Sequence, residues 1–415
     1  MGHDDAIRVV LYSHDSQGLG HLRRNLALAH HLADHLPAVT GRGVSGLVVT
    51  GLTPDHGFRL PSGFDWLTLP GVAKTDLGYG PRSLGVDTDS LRTVRSHVLD
   101  AALLALGPDL VVIDRHPYGV WHELRTPLHH LRLAHPGARV VLGLREVLDS
   151  PDAAAAEWVR LGDPGEMRRL VDQVWVYGDP AVHDPVATAE IPPGMHDRVR
   201  YTGYLARGRR LLDHSAHEPS SPFILTTAGG GSDGHALLRT AARMTPPAGH
   251  EHIVVTGPQL DRSAFEAVRE AAAPRTRVHR SWPGLSHQIA AASAVISMGG
   301  YNTVCEILDT STPALVVPRE RPRLEQLIRA RALSDVGAVE LLRLGDLDSA
   351  ALSRWSHGAV RRRVERHRVD GTGLQTVPLL AARLLGHDEE RCAPRPPALT
   401  PHPLSSSPAS GRTRP

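Results

Sequence analysis

The chain has 415 residues, 41% of them apolar and 4% aromatic, which suits two α/β domains with sizeable cores. Lys and Arg number 46 against 44 Asp and Glu, a formal charge of +2 with no basic block, which speaks against nucleic acid as a partner. Two distant cysteines, Cys305 and Cys392, do not suggest a disulfide framework, no apolar run approaches membrane-spanning length, and Met-Gly-His-Asp-Asp is not a secretory leader, so a cytoplasmic protein is expected.

Ile7 to Tyr12 reads as a strand, followed by the turn Gly18-Leu19-Gly20-His21. Leu22, Leu26, Ala29, Ala33 and Leu36 then recur at three- and four-residue steps, the spacing of an amphipathic helix. His21 is therefore expected at the helix start, facing the cleft above a sheet. The third glycine of the dinucleotide fingerprint is absent. Residues 46–50 and 65–69 read as strands, and Gly71 to Gly85 as a glycine-spotted loop suited to an acceptor. A helix is expected over 90–106 and strands over 110–113, 139–144, 173–176 and 198–202. Asp114 and Glu146 follow two of these strands as possible substrate contacts, or as ordinary ion-pair residues.

The composition turns polar after Arg207, so residues 1–207 are expected to form one domain, 208–221 a linker and 222–387 a second domain. The last helix of that domain could pack back on the first, and residues 388–415 form a Pro- and Ser-rich tail expected to be disordered. The second half opens with a strand over 223–227 and the turn Gly229-Gly230-Gly231-Ser232. Backbone N–H groups, a hydroxyl and the positive end of a helix at such a turn can cradle a diphosphate; a plain flexible loop is the alternative. Strands follow over 252–255 and 294–297, and the latter ends in Gly299-Gly300 before a helix carrying Asn302, Thr303 and Glu306. A strand over 314–317 then leads through an Arg- and Pro-rich loop to a helix near Glu325-Gln326. Strand, glycine turn, helix and strand is the grammar of a parallel sheet, whose ligands bind beyond the carboxyl ends of the strands. Glu306 could accept hydrogen bonds from a ribose diol or could merely suit the helix dipole. Helices over 349–365 and 372–385 close the domain.

Metal sites look poor. Asp87-Thr88-Asp89 precedes a helix and reads as its cap, and His122-Glu123 lacks a second histidine at Thr126.

Two α/β halves that each open on a glycine turn resemble a GT-B glycosyltransferase, two Rossmann-like domains facing across a cleft. The likeness is to the glycosyltransferase family 28 branch, which includes the N-acetylglucosaminyltransferases that make lipid II, and within it to a bacterial family of predicted glycosyltransferases. The motifs that carry it are Gly18-Leu19-Gly20-His21-Leu22-Arg23-Arg24, Gly299-Gly300-Tyr301-Asn302-Thr303, and Pro318-Arg319 with Pro322-Arg323 before Glu325-Gln326. The similarity spans residues 7 to 385. It implies that His21 is the catalytic base or a donor contact. Arg207 and Ser232 would hold a diphosphate, Trp282 to Leu285 would line a uracil pocket, Glu306 would take the ribose, and Glu325 and Gln326 would face the sugar. Asp233 and Glu325 stand where the lipid II enzyme has glutamines, which leaves the donor sugar open.

The expected reaction is metal-independent transfer, with inversion, from a nucleotide-diphosphate donor such as a UDP-sugar to an unidentified acceptor. No cofactor is expected, and the acceptor could be a small molecule, a glycan or a lipid-linked group reached by peripheral membrane contact. Histidine is suited to taking the acceptor proton. Two alternatives stand beside this. A UDP-sugar hydrolase of pseudaminic acid synthesis shares the Gly-Gly-His-x-x-Arg turn, and there the histidine activates water; the other is a silent nucleotide-sugar-binding protein.

Overall fold

The structure, a computed structural model, describes residues 5–14, 19–53, 58–75, 78–209, 221–231 and 233–387. Gly18 and Ser232 fall outside these, as do most of the expected linker and the whole of the expected tail.

The first half begins with β1 (Ile7–Tyr12), α1 (Gly20–Thr40), β2 (Val44–Thr50) and β3 (Phe64–Thr68). A hairpin follows, β4 (Val72–Thr75) and β5 (Gly78–Pro81), then α2 (Thr88–Leu106) and β6 (Leu110–Asp114). Next come α3 (Arg125–Ala134), β7 (Arg139–Arg145), α4 (Pro151–Arg160), α5 (Pro164–Leu170), β8 (Gln173–Tyr177) and β9 (Val199–Tyr201). The second half runs β10 (Phe223–Thr227), α6 (His235–Ala242), β11 (Glu251–Val255), α7 (Arg262–Glu270) and β12 (Thr276–His279). It continues with α8 (Leu285–Ala291), β13 (Ala294–Ser297), α9 (Tyr301–Leu308), β14 (Ala314–Val316) and α10 (Glu325–Asp335). It ends with β15 (Glu340–Leu341), α11 (Ser349–Ala359) and α12 (Gly373–Leu384).

Among the described residues the first half forms a parallel sheet in the order β3-β2-β1-β6-β7-β8-β9, and the second one in the order β12-β11-β10-β13-β14-β15. Central strands such as β6 and β13 are buried along their whole length and apolar up to their last residues, Asp114 and Ser297, as a sheet covered on both faces requires. In each sheet the strand order reverses beside its first strand, between β1 and β6 and between β10 and β13. The loops leaving those pairs diverge and open a crevice at the carboxyl ends, so each half offers one binding position. α12 returns to pack on α1, with Leu374, Val377 and Ala381 in one cluster with Leu26 and Leu32.

Two sequence expectations differ from the structure. The loop at 71–85 contains the antiparallel β4–β5 hairpin, which pairs Val72 with Pro81 and Lys74 with Tyr79; its Gly-Tyr-Gly-Pro strand carries no alternating apolar pattern. The helix expected to reach residue 365 stops at Ala359. Beyond it the buried Arg366 donates from Nε to the carbonyl of Ala338 (2.9 Å) and from Nη2 to that of Thr312 (2.8 Å), which draws the chain back onto the sheet edge.

Candidate active site

The two crevices face each other across one cavity of about 430 Å³, within the range typical of small-molecule sites. Gly20, Arg23, Arg24 and Ala27 line it from α1, the turn 228–231 from the end of β10, and Gly300, Asn302, Thr303 and Glu306 from the start of α9. Trp282 to Ser286 form another wall, and Arg145, Glu325 and Gln326 the far end. Among the described residues the starts of α1, α9 and α10 carry no side-chain cap, which suits their first N–H groups to an anion. Gly229 and Gly231 adopt φ of +65° and +95°, and a Cβ on Gly231 would stand 2.3 Å from the carbonyl oxygen of Thr256. Glycine is required there both for the turn and for the close backbone approach.

Glu306 is almost fully buried. Its Oε1 accepts from Arg23 and from the hydroxyl of Ser286 (3.1 Å), and Nη1 of Arg209 lies 3.9 Å away. Its Oε2 is buried with no hydrogen-bond partner among the described residues. Asn302 is fixed from both sides, donating to the carbonyl of Gly20 (2.9 Å) while its side-chain oxygen accepts from Arg209 (2.7 Å).

Glu325 pairs with Arg145 (2.9 Å) and Arg319 (3.4 Å). Burial alone would raise its pKa, but Arg145, Arg329 and Arg319 outweigh burial and hold it down at about 2. The pKa of Arg145 is also lowered, to about 10, because burial and the neighbouring Arg24 and Arg329 outweigh Glu325. Gln326 accepts from the backbone N–H of Arg319 (3.2 Å).

His21 stands beside the cavity rather than among the residues that line it. Its Nδ1 is 3.0 Å from Oδ2 of the buried Asp114, which Arg24 holds through both oxygens at 2.8 and 2.6 Å. Burial opposes the charge on Asp114, but Arg24 and His21 more than offset that and keep it ionised. An ionised carboxylate only accepts hydrogen bonds, so a bond from His21 to Asp114 is donated by Nδ1, which in a neutral ring leaves Nε2 as the acceptor nitrogen; Nη2 of Arg24 also lies 3.1 Å from Nδ1. His14 packs against both His21 and His116, with ring centroids 5.0 and 4.8 Å apart.

Other sequence candidates lie elsewhere. Glu146 is fully buried and gives both oxygens to Arg329, at 2.6 and 3.2 Å, so it is an ion-pair residue between the halves and not a substrate contact. Asp114 touches His21 and Arg24 in place of the cavity. Arg207 is exposed and does not line the cavity; Arg209, two residues on, does. Gly299 also lies behind the wall, where its carbonyl accepts from Arg329 (3.3 Å). Asp87 caps α2 by accepting from the N–H of Ser90 (2.8 Å). Arg23, Arg145, Arg209 and Arg280 were given no role by sequence reasoning, although Arg23 sits inside the glycine-turn motif.

Residues 228–355 match the glycosyltransferase family 28 C-terminal domain. Over 128 residues the chain is 29% identical to the UDP-N-acetylglucosamine–N-acetylmuramyl-(pentapeptide) pyrophosphoryl-undecaprenol N-acetylglucosamine transferase of Mannheimia succiniciproducens, covering 30% of this chain and 36% of that protein. The Haemophilus influenzae enzyme of the same name is 29% identical over 126 residues, 28% of this chain and 34% of its own. The chain thus matches about a third of the length of these curated relatives. Among solved structures, CalG4, the calicheamicin glycosyltransferase, is similar over 94% of this chain and 100% of its own, with a TM-score of 0.55 at 18% identity. MurG of Acinetobacter baumannii is similar over 91% and 99%, with a TM-score of 0.53 at 16% identity. The chain therefore has the GT-B fold, and residues 228–355 of its second half match the glycosyltransferase family 28 C-terminal domain.

Proposed function

We propose that this protein is a glycosyltransferase that moves a sugar from a nucleoside diphosphate, a UDP-sugar in the first instance, to an acceptor hydroxyl. The observation that carries the reading is the placement of the His21–Asp114 pair beside a cavity walled by a glycine turn, uncapped helix starts and the buried Glu306. Nε2 of His21 takes the acceptor proton as the acceptor oxygen attacks the anomeric carbon. The bond from that carbon to the diphosphate breaks, and its electron pair leaves with the diphosphate. Helix N–H groups and arginines carry the resulting charge without a metal. Attack opposite the leaving group inverts the anomeric centre. The relatives' names suggest N-acetylglucosamine as donor sugar and a lipid-linked acceptor. No helix of the described residues is long and apolar enough to cross a membrane; a lipid-linked acceptor would be met at the cytoplasmic membrane face.

The test is a binding screen of nucleotide sugars, followed by time courses of nucleotide release with and without candidate acceptors. Release that depends on acceptor supports transfer. Equal release into water marks a hydrolase, and binding without release marks a silent module. His21→Ala should abolish release while nucleotide affinity stays within about twofold; unchanged release removes His21 from the mechanism.

A further inference from the structure

Five arginines line the cavity among the described residues: Arg23, Arg24, Arg145, Arg209 and Arg280. Four donate their hydrogen bonds to groups other than Glu306. Arg24 is bidentate on Asp114, Arg145 pairs with Glu325, Arg209 donates to the backbone and side chain of Asn302, and Arg280 donates to the carbonyl of Leu260 over the ring of Phe265. Arg23 differs, because its partner is Glu306.

Glu306 is satisfied unevenly. Arg23 and Ser286 both donate to Oε1 and the Arg209 guanidinium lies 3.9 Å from it, while Oε2 is buried with no donor among the described residues. A buried carboxylate oxygen without a partner is costly, and a vicinal diol, with two O–H donors at matching spacing, relieves it by taking both oxygens. A diol seated there competes directly with Arg23. Arg23 keeps 26% of its side chain exposed, so it has room to turn within the cavity it shares with the turn at Gly229 to Gly231.

We propose that Arg23 exchanges partners when donor binds: it neutralises Glu306 in the empty cavity, releases it to the ribose diol, and turns onto the diphosphate, where it stabilises the leaving group. This rests on the sugar-nucleotide reading above and adds a residue and a linkage to it. The nucleoside part and the diphosphate part of one donor are coupled through a single side chain. The nucleoside must displace Arg23, whereas the diphosphate recovers it.

The experiment is calorimetric titration of the wild-type protein, Arg23→Ala and Arg23→Lys with matched ribonucleoside pairs: uridine and UDP, adenosine and ADP, guanosine and GDP. In Arg23→Ala the diphosphate should bind about tenfold or more weaker, while the nucleoside binds as well as or better than to wild type. Arg23→Lys should fall between for the diphosphate, since it keeps the charge and loses the forked geometry. The ratio of the two affinities is read within each variant, so a partly unfolded preparation does not obscure it. An unchanged ratio, whether both ligands weaken together or neither does, overturns the exchange while leaving the sugar-nucleotide reading intact. Wild-type protein that binds no pair at all removes that reading, and the exchange with it.

Discussion

Oδ2 of Asp114 lies 3.0 Å from Nδ1 of His21, and the two residues are brought together from β6 and α1, 93 positions apart. Because Arg24 already neutralises Asp114, the carboxylate acts less as a charge partner for His21 than as an orienting one. It fixes the ring and the tautomer. Asp114→Asn should therefore lower kcat roughly a hundredfold or more while nucleotide affinity stays near that of wild type. A parallel loss of affinity, measured by calorimetry, would assign Asp114 to the architecture of the cleft instead.

Two glycines separate conformational strain from steric demand. Gly257 adopts φ of +91°, and a Cβ on it would sit 2.4 Å from the carbonyl oxygen of Gly229 in the cavity turn. Gly249 adopts φ of +74°, and a Cβ there would meet nothing within 4 Å. Both alanine variants should lose about 1–2 kcal/mol of stability from the left-handed backbone. Only Gly257→Ala should also weaken nucleotide binding, because it pushes the turn at Gly229 out of place. Equal affinities in the two variants would show that the turn does not touch the ligand.

Acid should unfold this protein early. Burial holds His14 at a pKa of about 3, with His21 adding to the effect, and burial alone holds His252 at about 3. Both imidazoles stay neutral in the folded protein below pH 6.5, whereas the unfolded chain takes up the protons. Their effect is absent above pH 6.5 and destabilises increasingly as pH falls toward 3, on the order of 2 kcal/mol per histidine by pH 5. Urea melts at pH 7, 6 and 5 measure it. A midpoint that does not move over that interval would mean that these sites open to solvent.

The strands and the glycine turns were legible because their signals are local: short apolar runs, several of them followed by glycines. Glu306 could be placed on the cavity for the same reason, since its offset from a glycine turn fixes where the helix carries it, whereas Gln326 was placed there only by the family resemblance. The ion pairs were not legible. Arg23 finds Glu306 across 283 positions and Arg145 finds Glu325 across 180, and the docking of the two sheet-forming halves decides each pairing. The same docking gives the cavity to Arg209 rather than Arg207, a choice that one turn of chain makes and composition does not record. The β4–β5 hairpin was missed because Gly78-Tyr79-Gly80-Pro81 carries turn residues in a paired strand.

The two halves are held in register by Glu146 and Arg329, both fully buried, with hydrogen bonds of 2.6 and 3.2 Å. Arg329 also donates to the carbonyl of Gly299 (3.3 Å) and lies 5.6 Å above the ring of Tyr301, whose hydroxyl donates to the carbonyl of Tyr177 in the first half (2.8 Å). The pair thus ties β7's end to the glycine turn that starts α9. Removing one partner leaves a buried charge without compensation, so Glu146→Gln should cost about 3–5 kcal/mol in urea unfolding. Replacing both, as Glu146→Leu with Arg329→Met, removes the stranded charge and should restore most of that loss. The double variant should still bind nucleotide more weakly than wild type, because Gly299 and Tyr301 lose the donor and the cation that fix them. A double variant as destabilised as the single one would show that the cost comes from packing volume at the seam and not from the buried charge.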